Sequence, residues 1–166
     1  MKFIAPARVG IVAVAIAASV ALAGCSYVNP IVTDKPYSAS DGLDVEIGPV
    51  RGLNWLVVTN GIDNKASLTG SLFNSSDADQ EIVIALDGVT GIPVTVPANS
   101  QIELGVNGDA SVLALSPGSP GGIATVAIQS SATGVITTPV PIVDSTFNEH
   151  TDELDALADA DIPAAS

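Results

Sequence analysis

The sequence is poor in the side chains that most protein chemistry uses. Its 166 residues include one Cys, one Met, one His and one Trp, and only 4% are aromatic. Lys and Arg number 5 against 18 Asp and Glu, a formal net charge of −13. Each shortage excludes something. The single cysteine, Cys25, has no partner for an internal disulfide. The single histidine, His150, cannot supply a Cys/His cluster for zinc or copper. So few cations disfavour nucleic acid, whose phosphates are met by Lys and Arg, and direct adhesion to anionic lipid headgroups. No Gly-rich loop follows a strand and opens a helix, so nucleotide binding lacks its motif. The expectation is a protein without a cofactor and without enzymatic activity.

What is present begins with an address. Lys2 and Arg8 make the start basic, and Val9–Leu22 is apolar with Ser19 as its one polar residue. That run is shorter than the ~20 apolar residues a membrane-spanning helix needs, and suits a signal peptide. It ends in Leu22-Ala23-Gly24-Cys25, which resembles the bacterial lipobox: a branched apolar residue, two small residues, then the cysteine that takes the lipid. The resemblance implies cleavage between Gly24 and Cys25. It also implies a diacylglyceryl and palmitoyl-type modification of Cys25 and anchorage to membrane lipid on the extracytoplasmic face of the cell membrane. Two or more acyl chains, at about 0.8 kcal/mol per buried CH₂, give stable anchoring. Removal of residues 1–24 would leave only Lys35, Arg51 and Lys65 as cations against all the acids. Residues 25–41 contain Pro30 and Pro36 and read as an extended tether.

From residue 42 to 146 the chain breaks into short apolar runs separated by turn signals. Leu43–Ile47 alternates and stops at Gly48-Pro49; Asn54–Thr59 stops at Asn60-Gly61. Further runs cover Lys65–Phe73, Glu81–Asp87, Ile92–Val96, Ser100–Val106, Val112–Leu115, Ile123–Ile128 and Val135–Val143. Pro93 marks an edge strand, and Pro139 with Pro141 predicts a terminal edge strand. Seven to nine strands at this spacing predict an all-β, antiparallel β-sandwich of immunoglobulin-like or cupredoxin-like type. Trp55 is expected in its core. The tail, 147–166, carries six acids between Glu149 and Asp161, and Leu154 and Leu157 three apart. A short helix over Thr151–Ala160 is one reading, but the acidic composition favours disorder.

Leu56-Val57-Val58-Thr59-Asn60-Gly61, followed by Ser67-Leu68-Thr69-Gly70-Ser71-Leu72-Phe73-Asn74, is similar to a group of actinobacterial, mycobacterial-type lipoproteins. These are related to the PCuAC-type periplasmic copper chaperones. The resemblance covers residues 41–143 and implies a sandwich domain behind a lipobox. The chaperones hold Cu(I) with Met sulfur and His nitrogen, the soft donors that ion prefers. Here Met1 is the only Met and His150 the only His, so no copper ligand carries over.

Other candidate chemistry is thin. Gly118-Ser119-Pro120-Gly121 has Pro117 two before the serine, and Pro120 lacks an oxyanion N–H, so a hydrolase triad is disfavoured. Asp77-Ala78-Asp79-Gln80-Glu81 alternates carboxylates but lacks the glycine and distal Glu of a calcium loop. The acids sit at turns and in the tail, which does not suit a glycosidase pair. Asn74-Ser75-Ser76 is a glycosylation sequon and reads as a loop. The leading expectation is a non-enzymatic module for binding or envelope organisation, with an envelope protein as partner and Arg51 and Trp55 as contact residues. A copper-chaperone-like metal-handling module is the first alternative, and a hydrolase the second.

Overall fold

The computed structural model describes residues 42–87, 90–146 and 150–162. Among them run nine strands and one helix: β1 Leu43–Ile47, β2 Val50–Thr59, β3 Lys65–Asn74, β4 Gln80–Leu86, β5 Ile92–Val96, β6 Gln101–Leu104, β7 Val112–Leu115, β8 Ile123–Ser130, β9 Gly134–Val143 and α1 Thr151–Asp159. The fold is an all-β sandwich. One sheet holds β1, β2, β3, β6 and β7; the other runs β5-β4-β8-β9.

Strand alternation explains most of the layering. In β8, Ala124, Val126 and Ile128 turn inward and are fully buried, with exposed Thr125 and half-buried Ala127 between them. The same rhythm in β4 buries Ile82, Ile84 and Leu86. These side chains meet Trp55, Val57, Leu68 and Leu72 from the facing sheet in one apolar core. Aliphatic residues therefore build almost all of the interior, as the low aromatic content requires.

β2 departs from the rhythm. Its register against β3 shifts between Leu53 and Leu56, and Asn54 there adopts a φ of 55°. Asn tolerates that left-handed backbone, and the Asn54 N–H donates to Asp44 Oδ1 at 3.1 Å while its Oδ1 accepts from the Gly42 N–H. Across the bulge stands Gly70, at φ 129°; a Cβ there would lie 2.8 Å from the Leu53 and Asn54 carbonyl oxygens. A bulge re-aims the side chains beyond it. Residues 55–59 of β2 are consequently all buried: Trp55 and Val57 join the main core, and Val58 joins a second, smaller cluster on the opposite face.

β9 corrects the expectation of a terminal edge strand. It lies between β8 and β2. Ile142 N–H donates to Gly122 O on the β8 side, so alternate residues Val140 and Thr138 point the same way and Pro139 and Pro141 point away from β8. On that far side β9 pairs with β2 only at Val57↔Ile142 and Val58↔Val143. The prolines thus fall where no ladder bond is required of them. This short seam is parallel, the one departure from an antiparallel arrangement among the named strand pairs. Pro93, by contrast, does mark an edge: β5 ends its sheet.

β6 and β7 both run antiparallel to β3, along residues 70–73 and 65–68 respectively. They act as one strand interrupted by an excursion at 105–111, which contains the turn signal Asn107-Gly108.

Candidate functional site: a groove covered by the C-terminal helix

The outer face of the first sheet carries a cross-strand row, Val58–Ser67–Leu113, in direct register across β2, β3 and β7. Val58 and Leu113 pack with Leu154 and Leu157 of α1 in the second cluster, with Val106, Val143 and Ala160 at its margin. The row is the floor of a groove and α1 lies over it.

This helix corrects the expectation of disorder. Nine residues cannot hold a helix alone in water, and the tail's acidic composition argues against one. The groove supplies what the segment lacks. Leu154 and Leu157, three apart, share one face and are buried. Asp152 and Glu153 sit in the first turn, where negative charge suits the helix dipole. Glu153 Oε1 accepts the Val106 N–H at 2.8 Å. Gly105 makes room for that carboxylate, since a Cβ there would come within 3.1 Å of Glu153 Oε2. The last turn holds no basic residue; instead Lys65 Nζ, from β3, donates to Ala158 O at 2.8 Å and Ala160 O at 2.6 Å. Lys65 thereby takes over the role of a C-terminal cap.

The fit is incomplete in two respects. Ser67 is fully buried, yet its hydroxyl has no hydrogen-bond partner among the described residues; such an orphan costs about 1–3 kcal/mol. A crevice of about 300 Å³ also remains beside α1, lined by Asn60, Asn64, Lys65, Leu154, Leu157 and Ala158. In the link from β9 to α1, hydrogen bonds from the Thr146 hydroxyl and backbone N–H hold the Asp144 carboxyl below the ordinary aspartate range.

The residues singled out from the sequence are scattered. Gly24 and Cys25 lie outside the described residues. Arg51 is exposed on the outer face of the first sheet, in the row Glu46–Arg51–Phe73–Gln101. Trp55 lies in the core, as its place in the strand pattern predicts, and so is no contact residue: it is fully buried, with Nε1 donating to Ser71 O at 3.2 Å. His150 immediately precedes α1 and makes no side-chain cap. Asp77 and Asp79 are engaged by protein donors: Asp77 Oδ1 accepts from Asn99 Nδ2 and Asp79 Oδ1 from the Ala98 N–H, both at 2.9 Å. Ser119 is exposed on the β7–β8 loop. Asn74 ends β3 and is fully buried, while Ser75 and Ser76 begin the β3–β4 loop, so only the asparagine of the sequon departs from the loop reading.

Among the described residues no three His, Cys, Asp or Glu side chains group to hold a metal ion, and no helix is long and apolar enough to cross a membrane. Reading the sequence alone passed over Lys65, Ser67, Leu113 and Glu153. Only the Leu154/Leu157 spacing hinted at this site.

No family model matches the chain, and no curated protein matches it. Two solved structures are similar. The apo PCuAC domain from PmoF1 is 16% identical, with a TM-score of 0.49, over 61% of this chain and 99% of that one. The copper-bound PCuAC domain from PmoF2 is 14% identical, with a TM-score of 0.46, over 61% of this chain and 98% of that one. Likenesses this loose carry neither ligands nor a function across. The soft donors of a Cu(I) site do not fit what is here either: the described residues contain no Cys, no Met and a single His.

Proposed function

We propose that the chain is a lipoprotein held through acylated Cys25 on the extracytoplasmic face of a membrane, and that its β-sandwich is a non-catalytic module for binding a protein of the envelope. The observation that carries the anchor is Leu22-Ala23-Gly24-Cys25 placed directly behind a basic start and an apolar run. Binding, not catalysis, is supported by the site around α1. It offers an apolar floor, one cation and one backbone donor, a set suited to holding a peptide surface. No nucleophile–base pair stands in it.

The test is fractionation and mass spectrometry of the chain from a bacterial host that processes lipoproteins. The wild-type chain should partition at least ~10-fold toward the membrane fraction, with acyl mass on Cys25, and Cys25→Ala should abolish both. Equal partition of the two chains would sink the anchor.

Metal handling is the competing reading, from the sequence resemblance to copper chaperones. Titration of the purified chain with Cu(I) should reveal no stoichiometric site. One tightly held equivalent would overturn the binding-module reading in favour of metal transport.

A further inference from the structure

We propose that the groove floored by Val58, Ser67 and Leu113 is a docking site for a helix of a protein partner, and that α1 is its removable cover. The proposal rests on the binding-module reading and names the surface with which the module binds. Its starting point is Ser67. This residue stands in the middle of the floor row, between two residues that pack against α1. It is fully buried and its hydroxyl is unmatched. The side chains α1 buries here are leucines, which have nothing to offer a hydroxyl. A helix carrying Ser, Thr or Asn over this point would match it, and so would hold the groove better than α1 does.

A crevice of about 300 Å³ also flanks α1 on the side of the β2–β3 turn, where Asn60, Asn64 and Lys65 face Leu154, Leu157 and Ala158, so the helix does not fill the space alongside it. The polar anchors, moreover, belong to the body of the sandwich and not to the cover. The Val106 N–H reads a carboxylate in a helix's first turn, and Lys65 reads the free carbonyls at a helix's end. Any helix of matching length and polarity presents both groups. Together these contacts fix the partner's direction along the groove. The occupant they describe is an amphipathic helix of the pattern acid-Leu-x-x-Leu, as in Glu153-Leu154-Asp155-Ala156-Leu157, with a hydrogen-bonding side chain added over Ser67. Binding in this mode uses leucines spaced along one helical face as anchors in an apolar groove.

Two measurements on the full chain test this. Hydrogen exchange in the wild-type chain should show the amides of Leu154–Ala160 opening at least ~100-fold more readily than those of Val126 and Ile128 in β8. Ser67→Ala, which removes the unmatched hydroxyl, should slow the helix amides roughly tenfold. Equal protection of α1 and β8 in the wild-type chain would overturn the proposal, because α1 would then leave only when the whole fold does. The second measurement opens the groove with Leu154→Asp/Leu157→Asp, which sets two carboxylates against its apolar floor, and adds a labelled peptide of residues 150–162. Saturable binding to the variant, at least ~10-fold tighter than to the wild-type chain, is expected. A variant whose β8 amides stay protected but which takes no peptide would overturn the proposal. Should the variant fail to fold, the exchange comparison decides alone. Neither readout depends on lipid at Cys25, so failure here leaves the anchor standing, and failure of the anchor leaves the groove standing.

Discussion

Trp55→Ala should lower the stability of the sandwich by about 3–5 kcal/mol, the range for emptying a large aromatic site. The side chain is fully buried and is the largest in the core. Its surroundings cannot close over the gap. Gly52 lies against the ring, where a Cβ would be 2.6 Å from it, and a Cβ on Gly70 of β3 would be 2.8 Å from it. Neither glycine has a side chain with which to fill a void. The change also strips the Ser71 carbonyl of the indole N–H it accepts. Urea unfolding should show the midpoint falling with an unchanged slope. Trp55→Phe, which keeps most of the volume and loses the hydrogen bond, should cost about 1–3 kcal/mol. A loss under about 1 kcal/mol for the alanine variant would mean that the ring is not packed as described.

Asn74→Ala should cost about 3 kcal/mol, for a different reason. Asn74 Nδ2 donates to the carbonyls of Ala78, Val96 and Pro97, and its Oδ1 accepts from the Ser76 N–H and hydroxyl. One buried amide thus ties the end of β3 to the β3–β4 turn and to the end of β5. Removing it orphans acceptors that water cannot easily reach. Asn74→Asp makes the sharper test. Its carboxylate would face three carbonyl oxygens, so the variant should be less stable than Asn74→Ala near neutral pH and recover as acid protonates the new group. Thermal melts of both variants across pH would show this. A pH-independent Asn74→Asp would count against the buried geometry.

The sandwich was legible where each strand carries its own signal. Leu43–Ile47, Ile92–Val96 and Val112–Leu115 begin and end where their apolar runs do, because turn residues flank each one. Asn54, Pro139 and Pro141 were harder. Asn54 hides a bulge that reverses which β2 residues face inward, and nothing in the local sequence states that Gly70 stands opposite to receive it. The prolines signal only that some N–H is missing. Which side of β9 it is missing from depends on the pairing with β8. The groove was the least legible of all. Its floor draws single residues from β2, β3 and β7, its cap is a lysine 93 residues before the carbonyl it serves, and the helix forms only because those pieces are already in place. Composition alone therefore read the tail as unstructured. The sequon at Asn74 was legible in part: Ser75 and Ser76 do open the β3–β4 loop, but Asn74 itself is buried at the end of β3, its amide bonded to carbonyls that only the fold brings near.

The free margins of the sandwich have a bearing on crowding. β5 is five residues long and carries Pro93; β6 and β7 are broken by the excursion at 105–111; β1, paired only with β2, is five residues long with a register shift; and β9, unpaired with β2 before Ile142, carries Pro139 and Pro141. None offers a long, unbroken row of backbone donors and acceptors as a template for another chain. For a domain confined to a surface at high density, as the proposed anchor entails, neighbours would collide edge to edge far more often than in solution. Short, interrupted margins keep such encounters from growing into fibrils.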